Sequence, residues 1–156
     1  MSTSPAFLLV CMGNICRSPL AEGILRQRSR EAGIDLQLDS AGTHAYHLGE
    51  PPDPRARSLA RQRGTPIDDL RARQVVAEDF QRFDHLLVAD RVNLEALNRR
   101  FPQHAGRAVL LLEFAGIRPE VEVPDPYYGD VRDFEAVFDL LERAAQGVLK
   151  RLAVAR

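Results

Sequence analysis

The 156-residue chain has no tryptophan, a single lysine (Lys150) and only two cysteines, Cys11 and Cys16. Without a second Cys/His pair, those cysteines exclude an ordinary four-ligand zinc site. The histidines at 44, 47, 85 and 104 show no metal-ligand spacing, so no metal and no cofactor are expected. No apolar run reaches the roughly 20 residues that cross a bilayer, and the opening MSTSPAFLLVC lacks the basic segment and long apolar core of a signal peptide. A soluble, cytoplasmic protein with reduced thiols and no membrane association is expected. The formal net charge of −1 gives no basic stripe for nucleic acid. There is no internal repeat, linker or low-complexity segment, and the length suits one domain, residues 1–156, with an ordinary core. The sequence leaves the oligomeric state open, with a monomer as the default expectation.

What the chain does have is an alternation of apolar runs and helical patterns. AFLLVC (6–11) suits a strand buried on both faces. SPLAEGILRQRSREAG (18–33) reads as a helix capped by Ser18, with Pro19 first, Glu22 at the positive end and Gly33 as the stop. LQLDSAGT (36–43) is a second strand, DPRARSLARQRG (53–64) a helix capped by Asp53, and DHLLVAD (84–90) a third strand followed by a helix around RVNLEALNRRF. RAVLLLEFAG (107–116) reads as the fourth strand, residues 123–130 as a loop, and 132–152 as a long amphipathic helix. This order predicts an α/β, three-layer fold: a central four-stranded parallel sheet flanked by helices. Ligands of such sheets sit beyond the carboxyl ends of the strands, where Cys11, Asp39, Ser40 and Asp90 would meet the 123–130 loop.

Both cysteines fall in VCMGNICRSPLAEGIL (10–25), with Arg17 one residue after the second. The Cys-x5-Arg spacing is weak alone, and a strand-end cysteine is often just a packing residue. Its setting is stronger, because Cys11 ends a strand, the loop is short and contains Gly13, and a helix begins immediately afterwards. A loop entering a helix N-terminus can present successive N–H groups to an anion. Arg17 can close on a phosphate with a two-pronged contact that lysine could not reproduce. Such positive surroundings favour a thiolate, and a thiolate beneath a bound phosphate is placed to attack phosphorus.

CMGNICRSPLAEGI resembles the signature of the low-molecular-weight protein tyrosine phosphatases. The resemblance continues through DSAGT (39–43), GEPPDPRA (49–56), RARQ (71–74), ADRVN (89–93) and DPYYGD (125–130). It implies the phosphotyrosine phosphatase I-like fold, a tyrosine-phosphorylated protein as partner, and roles for particular residues. Cys11 would be the nucleophile and Arg17 the phosphate clamp. Met12, Gly13, Asn14, Ile15, Cys16 and Ser18 would form the phosphate loop, with the Ser18 hydroxyl bonded to the Cys11 sulfur and Asn14 tied to Ser40. Asn14 would hold an unusual backbone conformation, which asparagine tolerates. Asp125 would be the general acid, a role that residue types and spacing alone do not single out. Tyr46 and Tyr127 would wall the substrate ring, and Tyr128 would be a packing or phosphorylation position. Cys16 either fills space beneath the loop or traps an oxidised Cys11 as a disulfide.

One departure stands out: relatives often carry a histidine two positions ahead of the alanine in ARQ, and this chain has Leu70. If that histidine supports the loop asparagine, another group must do so here. An arginine phosphatase shares the scaffold, but its members tend to carry threonine where Ile15 stands. An arsenate reductase needs further cysteines downstream, and none follows Cys16. A non-catalytic phosphoprotein-binding module would lack the nucleophile or the acid, and both are present. A metal-independent phosphatase acting on phosphotyrosine is the expectation.

Overall fold

A computed structural model describes residues 4–154. Four strands, β1 (Ala6–Cys11), β2 (Gln37–Gly42), β3 (His85–Val88) and β4 (Ala108–Leu110), form one sheet in the order β2-β1-β3-β4. All neighbours run parallel, as expected for strands joined through helices. The helices are α1 (Arg17–Glu31), α2 (Pro54–Gln62), α3 (Asp79–Arg82), α4 (Arg91–Arg100), α5 (Leu111–Phe114) and α6 (Val131–Val154).

Alternation along β1 builds the core on both faces of the sheet. Phe7, Leu9 and Cys11 pack with residues of α1, α2, α5 and α6. Ala6, Leu8 and Val10 face Phe80 of α3 and Leu97 of α4 on the other side. A fully buried leucine or phenylalanine contributes about 1.5–3 kcal/mol, so this central strand is pinned by every side chain it carries. Among the described residues, no helix is long and apolar enough to cross a membrane.

Three local expectations are corrected. The run 107–116 is a strand only over Ala108–Leu110; LLEF turns into α5. Its partner β3 ends at Val88, opposite Leu110, so further extension would leave unpaired backbone, whereas a helical turn buries Leu111, Leu112 and Phe114. Ser18 does not cap α1: the helix begins at Arg17, with Cys16 at the cap position making no side-chain capping bond. Glu22 is not an exposed dipole partner but only 5% exposed. Four residues after Ser18, it shares that residue's helix face and points inward with it. Asp53, by contrast, caps α2 by accepting from the Arg55 N–H at 2.8 Å.

Candidate active site

The loop after β1 is held by its carbonyl groups. Thr43 N–H donates to the Cys11 carbonyl at 2.9 Å, His44 N–H to that of Met12 at 3.0 Å, and Asp53 N–H to that of Ile15 at 2.8 Å. Leu20 N–H takes the Cys16 carbonyl at 3.1 Å. In a trans peptide each carbonyl points opposite to the next N–H. Fixing those four carbonyls outward therefore turns the N–H groups of Met12, Gly13, Cys16 and Arg17 the other way. Among the described residues, the N–H groups of 12–16 donate to no protein acceptor. The result is an anion cradle at the start of α1.

Close approach of two backbones makes this geometry possible. A Cβ on Gly42 would lie 2.6 Å from the Met12 carbonyl oxygen and 3.0 Å from that of His44, so only glycine fits there. Asn14 holds φ at 59°, the one positive-φ residue other than glycine among those described. Its side chain is turned away from the pocket into a buried network. Its Oδ1 accepts from Arg73 N–H at 3.0 Å, while Nδ2 donates to Ser18 Oγ at 2.8 Å and Ser40 Oγ at 3.0 Å. Ser18 Oγ stands 3.0 Å from Cys11 Sγ, and Ser40 Oγ donates to Glu22 Oε1 at 2.8 Å. The contacts that fix Asn14 are thus complete with Leu70 in place; Leu70 packs at the edge of the core.

Arg17 is 3% exposed. Its Nη1 donates to Asp90 Oδ2 at 2.6 Å and to the Val123 carbonyl at 2.9 Å, and its Nη2 lies 3.7 Å from Asp125 Oδ2. Burial pushes the guanidinium pKa down, but the charges of Cys11, Asp90 and Asp125 outweigh it and hold the group above its ordinary value. Burial pushes the Cys16 thiol strongly up, reinforced by Asp53 and Cys11, so Cys16 is a neutral thiol. Both cysteines are free and buried.

The cradle opens into a pocket of about 210 Å³ lined by Cys11, Met12, Gly13, Ile15, Cys16 and Arg17 on its floor, with Tyr46, His47, Asp125, Tyr127 and Tyr128 around the mouth. Tyr46 is 67% exposed and stacks on His44 at 5.0 Å. Tyr128 is 94% exposed and meets Tyr127 edge-on at 4.9 Å. Asp125 Oδ1 accepts from Tyr127 N–H at 3.1 Å, which orients the carboxyl and leaves Oδ2 on the Arg17 side.

Of the residues given roles by the resemblance, Asn14, Ser18 and Ser40 thus stand behind the loop and the rest line the pocket, while Asp90 meets the site only through Arg17. Asp39, expected beside them, instead pairs with Arg73, whose guanidinium also grips the fully buried Asp79 with two bonds of 3.0 Å. His47 also lines the pocket, with no sequence signal to mark it. Its Cδ2 would lie 2.9 Å from a Cβ on Gly13, and its Nδ1 bonds Glu50 Oε2 at 2.7 Å. His85 lies away from the pocket, in a cluster of rings with Phe7 and Phe114, where burial lowers its pKa. Among the described residues, no group of three His, Cys, Asp or Glu side chains is arranged to hold a metal.

The family model described as low molecular weight phosphotyrosine protein phosphatase matches residues 6–156. The human low molecular weight phosphotyrosine protein phosphatase is 38% identical over 148 residues, covering 92% of this chain and 93% of that protein. A putative low molecular weight protein-tyrosine-phosphatase of Synechocystis is 40% identical over 149 residues, covering 93% and 94%. The solved protein tyrosine phosphatase of Entamoeba histolytica, with Hepes in its active site, superposes with a TM-score of 0.89 at 36% identity, covering 97% of this chain and 99% of that one.

Proposed function

The chain belongs to the low molecular weight phosphotyrosine protein phosphatase family and is a protein-tyrosine phosphatase; from that premise we propose that it works through a cysteinyl-phosphate intermediate on Cys11. The observation that carries this is the placement of Cys11 Sγ on the floor of a cradle of inward N–H groups, 3.0 Å from the Ser18 hydroxyl. A phosphate dianion bound by those N–H groups and by Arg17 has its phosphorus directly above the sulfur. Attack forms the S–P bond and breaks the P–O bond to the aryl group, while Asp125 gives its proton to the departing phenolate. The resulting Asp125 carboxylate then takes a proton from water, which attacks the thiophosphate and releases inorganic phosphate with Cys11 as thiolate. Ser18 donates to that thiolate as it leaves. The positive cradle stabilises charge that gathers on the equatorial oxygens in both steps.

Tyr46 and Tyr127 flank the ring of a phosphotyrosine side chain, and the depth of Cys11 favours an aryl phosphate over the shorter phosphoserine. A protein presenting phosphotyrosine on an exposed segment is the substrate, and no metal or cofactor enters the chemistry. Turnover is to be measured on matched phosphotyrosine, phosphoserine and phosphoarginine peptides with chelator present, using the wild type and Cys11→Ser. The reading requires preference for phosphotyrosine, insensitivity to chelator, and loss of at least about 10⁴-fold in the variant with anion binding retained. Turnover that survives Cys11→Ser would exclude the covalent route, and a preference for phosphoarginine would show that Ile15 and the tyrosine walls do not set specificity.

A further inference from the structure

The far end of the loop that carries Asp125 is tied to the start of α2 by the Arg55 side chain. Arg55, at the start of α2, donates through Nη2 to the Tyr127 carbonyl at 2.9 Å and through Nη1 to the Gly129 carbonyl at 3.2 Å. The same guanidinium grips Asp53 with Nε to Oδ1 at 3.0 Å and Nη2 to Oδ2 at 2.9 Å. Its carbon lies 4.5 Å from the centre of the Phe134 ring and 5.7 Å from that of Tyr127, within reach of cation–π attraction. Asp53 is in turn joined to the phosphate loop, because its N–H donates to the Ile15 carbonyl at 2.8 Å.

These contacts form a continuous strap. Tyr127 is held at both ends of its main chain, its carbonyl by Arg55 and its N–H by Asp125 Oδ1. The line therefore runs from Ile15 through Asp53, Arg55 and Tyr127 to the Asp125 carboxyl. We propose that Arg55 is a positioning residue that fixes the Asp125 carboxyl and the Tyr127 ring relative to the phosphate loop. Arg55 touches neither phosphate nor nucleophile; it acts through the loop that it holds. Lysine cannot replace it, because a single ammonium cannot span the Asp53 carboxylate and two carbonyl groups at once.

This inference rests on the assignment of Asp125 as general acid, so its test measures both. Values of kcat/KM are measured for aryl phosphates running from a good leaving group (p-nitrophenol) to a poor one (phenol). The enzymes are the wild type, Arg55→Met, Arg55→Lys, Asp125→Asn and the Arg55→Met/Asp125→Asn double variant. Misplacing a reacting group by an ångström can cost about 100-fold. For Arg55→Met the loss is expected to be about 10-fold or more with phenyl phosphate and only a few-fold with p-nitrophenyl phosphate. Arg55→Lys, which retains a cation beside Asp53, is expected to show the same steepening. The inhibition constant of inorganic phosphate should stay within about 2-fold, because the strap does not form the cradle. In the Asp125→Asn background, removing Arg55 should add no further leaving-group dependence.

A loss that is equal across the series, or one that steepens as much without Asp125, overturns the role of Arg55. Steepening in Asp125→Asn but in neither Arg55 variant overturns this proposal alone. No steepening in Asp125→Asn overturns the acid assignment itself, and the strap role with it.

Discussion

Asn14 donates from its side-chain amide to Ser18 Oγ across 2.8 Å, and that bond decides which way the Ser18 proton faces. The orientation of the amide is unambiguous, because its oxygen accepts the Arg73 N–H. Both N–H bonds of Nδ2 are thus committed, one to Ser18 and one to Ser40. Ser18 Oγ receives a hydrogen bond from Asn14, so its own hydrogen is free to point at Cys11 Sγ, 3.0 Å away. The buried network therefore leaves Ser18 a hydrogen to offer a thiolate at Cys11, which favours the thiolate as leaving group in the second half of the proposed reaction.

Ser18→Ala removes that donor and leaves the phosphate cradle in place. A hydrogen bond to a charged group contributes about 1.5–3 kcal/mol, which corresponds to a slowing of about 10- to 100-fold. It should fall on breakdown of the cysteinyl phosphate. Rapid-quench experiments should then show the phosphoenzyme accumulating in the variant. A variant that slows aryl release and forms no extra intermediate would assign Ser18 to another step.

Glu22 ends the same network, and its charge has a measurable consequence. Burial raises its pKa above the ordinary value of 4.5, and the Ser40 hydrogen bond only partly offsets this. The folded protein therefore binds that proton more tightly than the unfolded chain. The cost of charging Glu22 is absent below the ordinary glutamate value, grows as pH rises through the raised value, and is complete above it. Glu22→Gln keeps an acceptor for Ser40 and removes the charge. Its stability relative to wild type should rise between pH 4 and pH 8, read as the difference in urea midpoints. A difference that is constant over that range would show that Glu22 does not titrate across the folding transition.

Gly42→Ala tests whether backbone proximity shapes the cradle. The added methyl group would meet the Met12 and His44 carbonyl oxygens at 2.6 and 3.0 Å, and neither is a flexible side chain. Overpacking of this kind costs about 1–3 kcal/mol, and relief by moving the Met12 carbonyl would turn the Gly13 N–H out of the cradle. Phosphate should bind about 10-fold more weakly. Gly33→Ala is the control. Its φ of +69° makes alanine unfavourable, but a Cβ there meets nothing within 4 Å, so stability should fall with phosphate binding unchanged. Equal phosphate affinity in both variants would show that the cradle tolerates the shift.

The sheet and the loop were legible in the sequence because their signals are local. AFLLVC is apolar at every position and must be buried on both faces, and a strand running through Cys-x5-Arg into a helix places the anion site by itself. Where the fold depended on distant partners, local signals failed. Nothing in RAVLLLEFAG reveals that β3 ends opposite Leu110, so the change from strand to α5 could not be read. Ser18 and Glu22 resembled a helix cap and a dipole partner, since the competing buried partners, Cys11 and Ser40, come from two different strands. Asp79 carries no sequence signal at all, because its partner Arg73 takes its meaning from Asn14 and Asp39. The resemblance to known phosphatases named Asp125, and the contacts that orient it, through Arg55 and Asp53, became visible only in three dimensions.

Asp90 performs two tasks that substitution can separate. Its Oδ2 accepts from Arg17 at 2.6 Å, and its Oδ1 caps α4 by accepting from Asn93 N–H at 2.9 Å and Asn93 Nδ2 at 2.7 Å. Asp90→Asn can keep an oxygen toward Asn93 but turns an amide donor toward the Arg17 guanidinium. Asp90→Ala loses both contacts, and the missing cap should add about 1 kcal/mol of destabilisation. Leaving a buried charge without its partner costs up to about 3–5 kcal/mol, moderated here by the Val123 carbonyl and Asp125, which still face Arg17. Both variants should melt earlier, bind phosphate more weakly and lose kcat/KM. In the proposed mechanism Arg17 acts on the phosphoryl group and not on the leaving group, so that loss should be the same for phenyl and p-nitrophenyl phosphate. A loss that steepened with the poorer leaving group would mean that Asp90 acts through the acid loop, and Arg17 would then be coupled to Asp125 in catalysis.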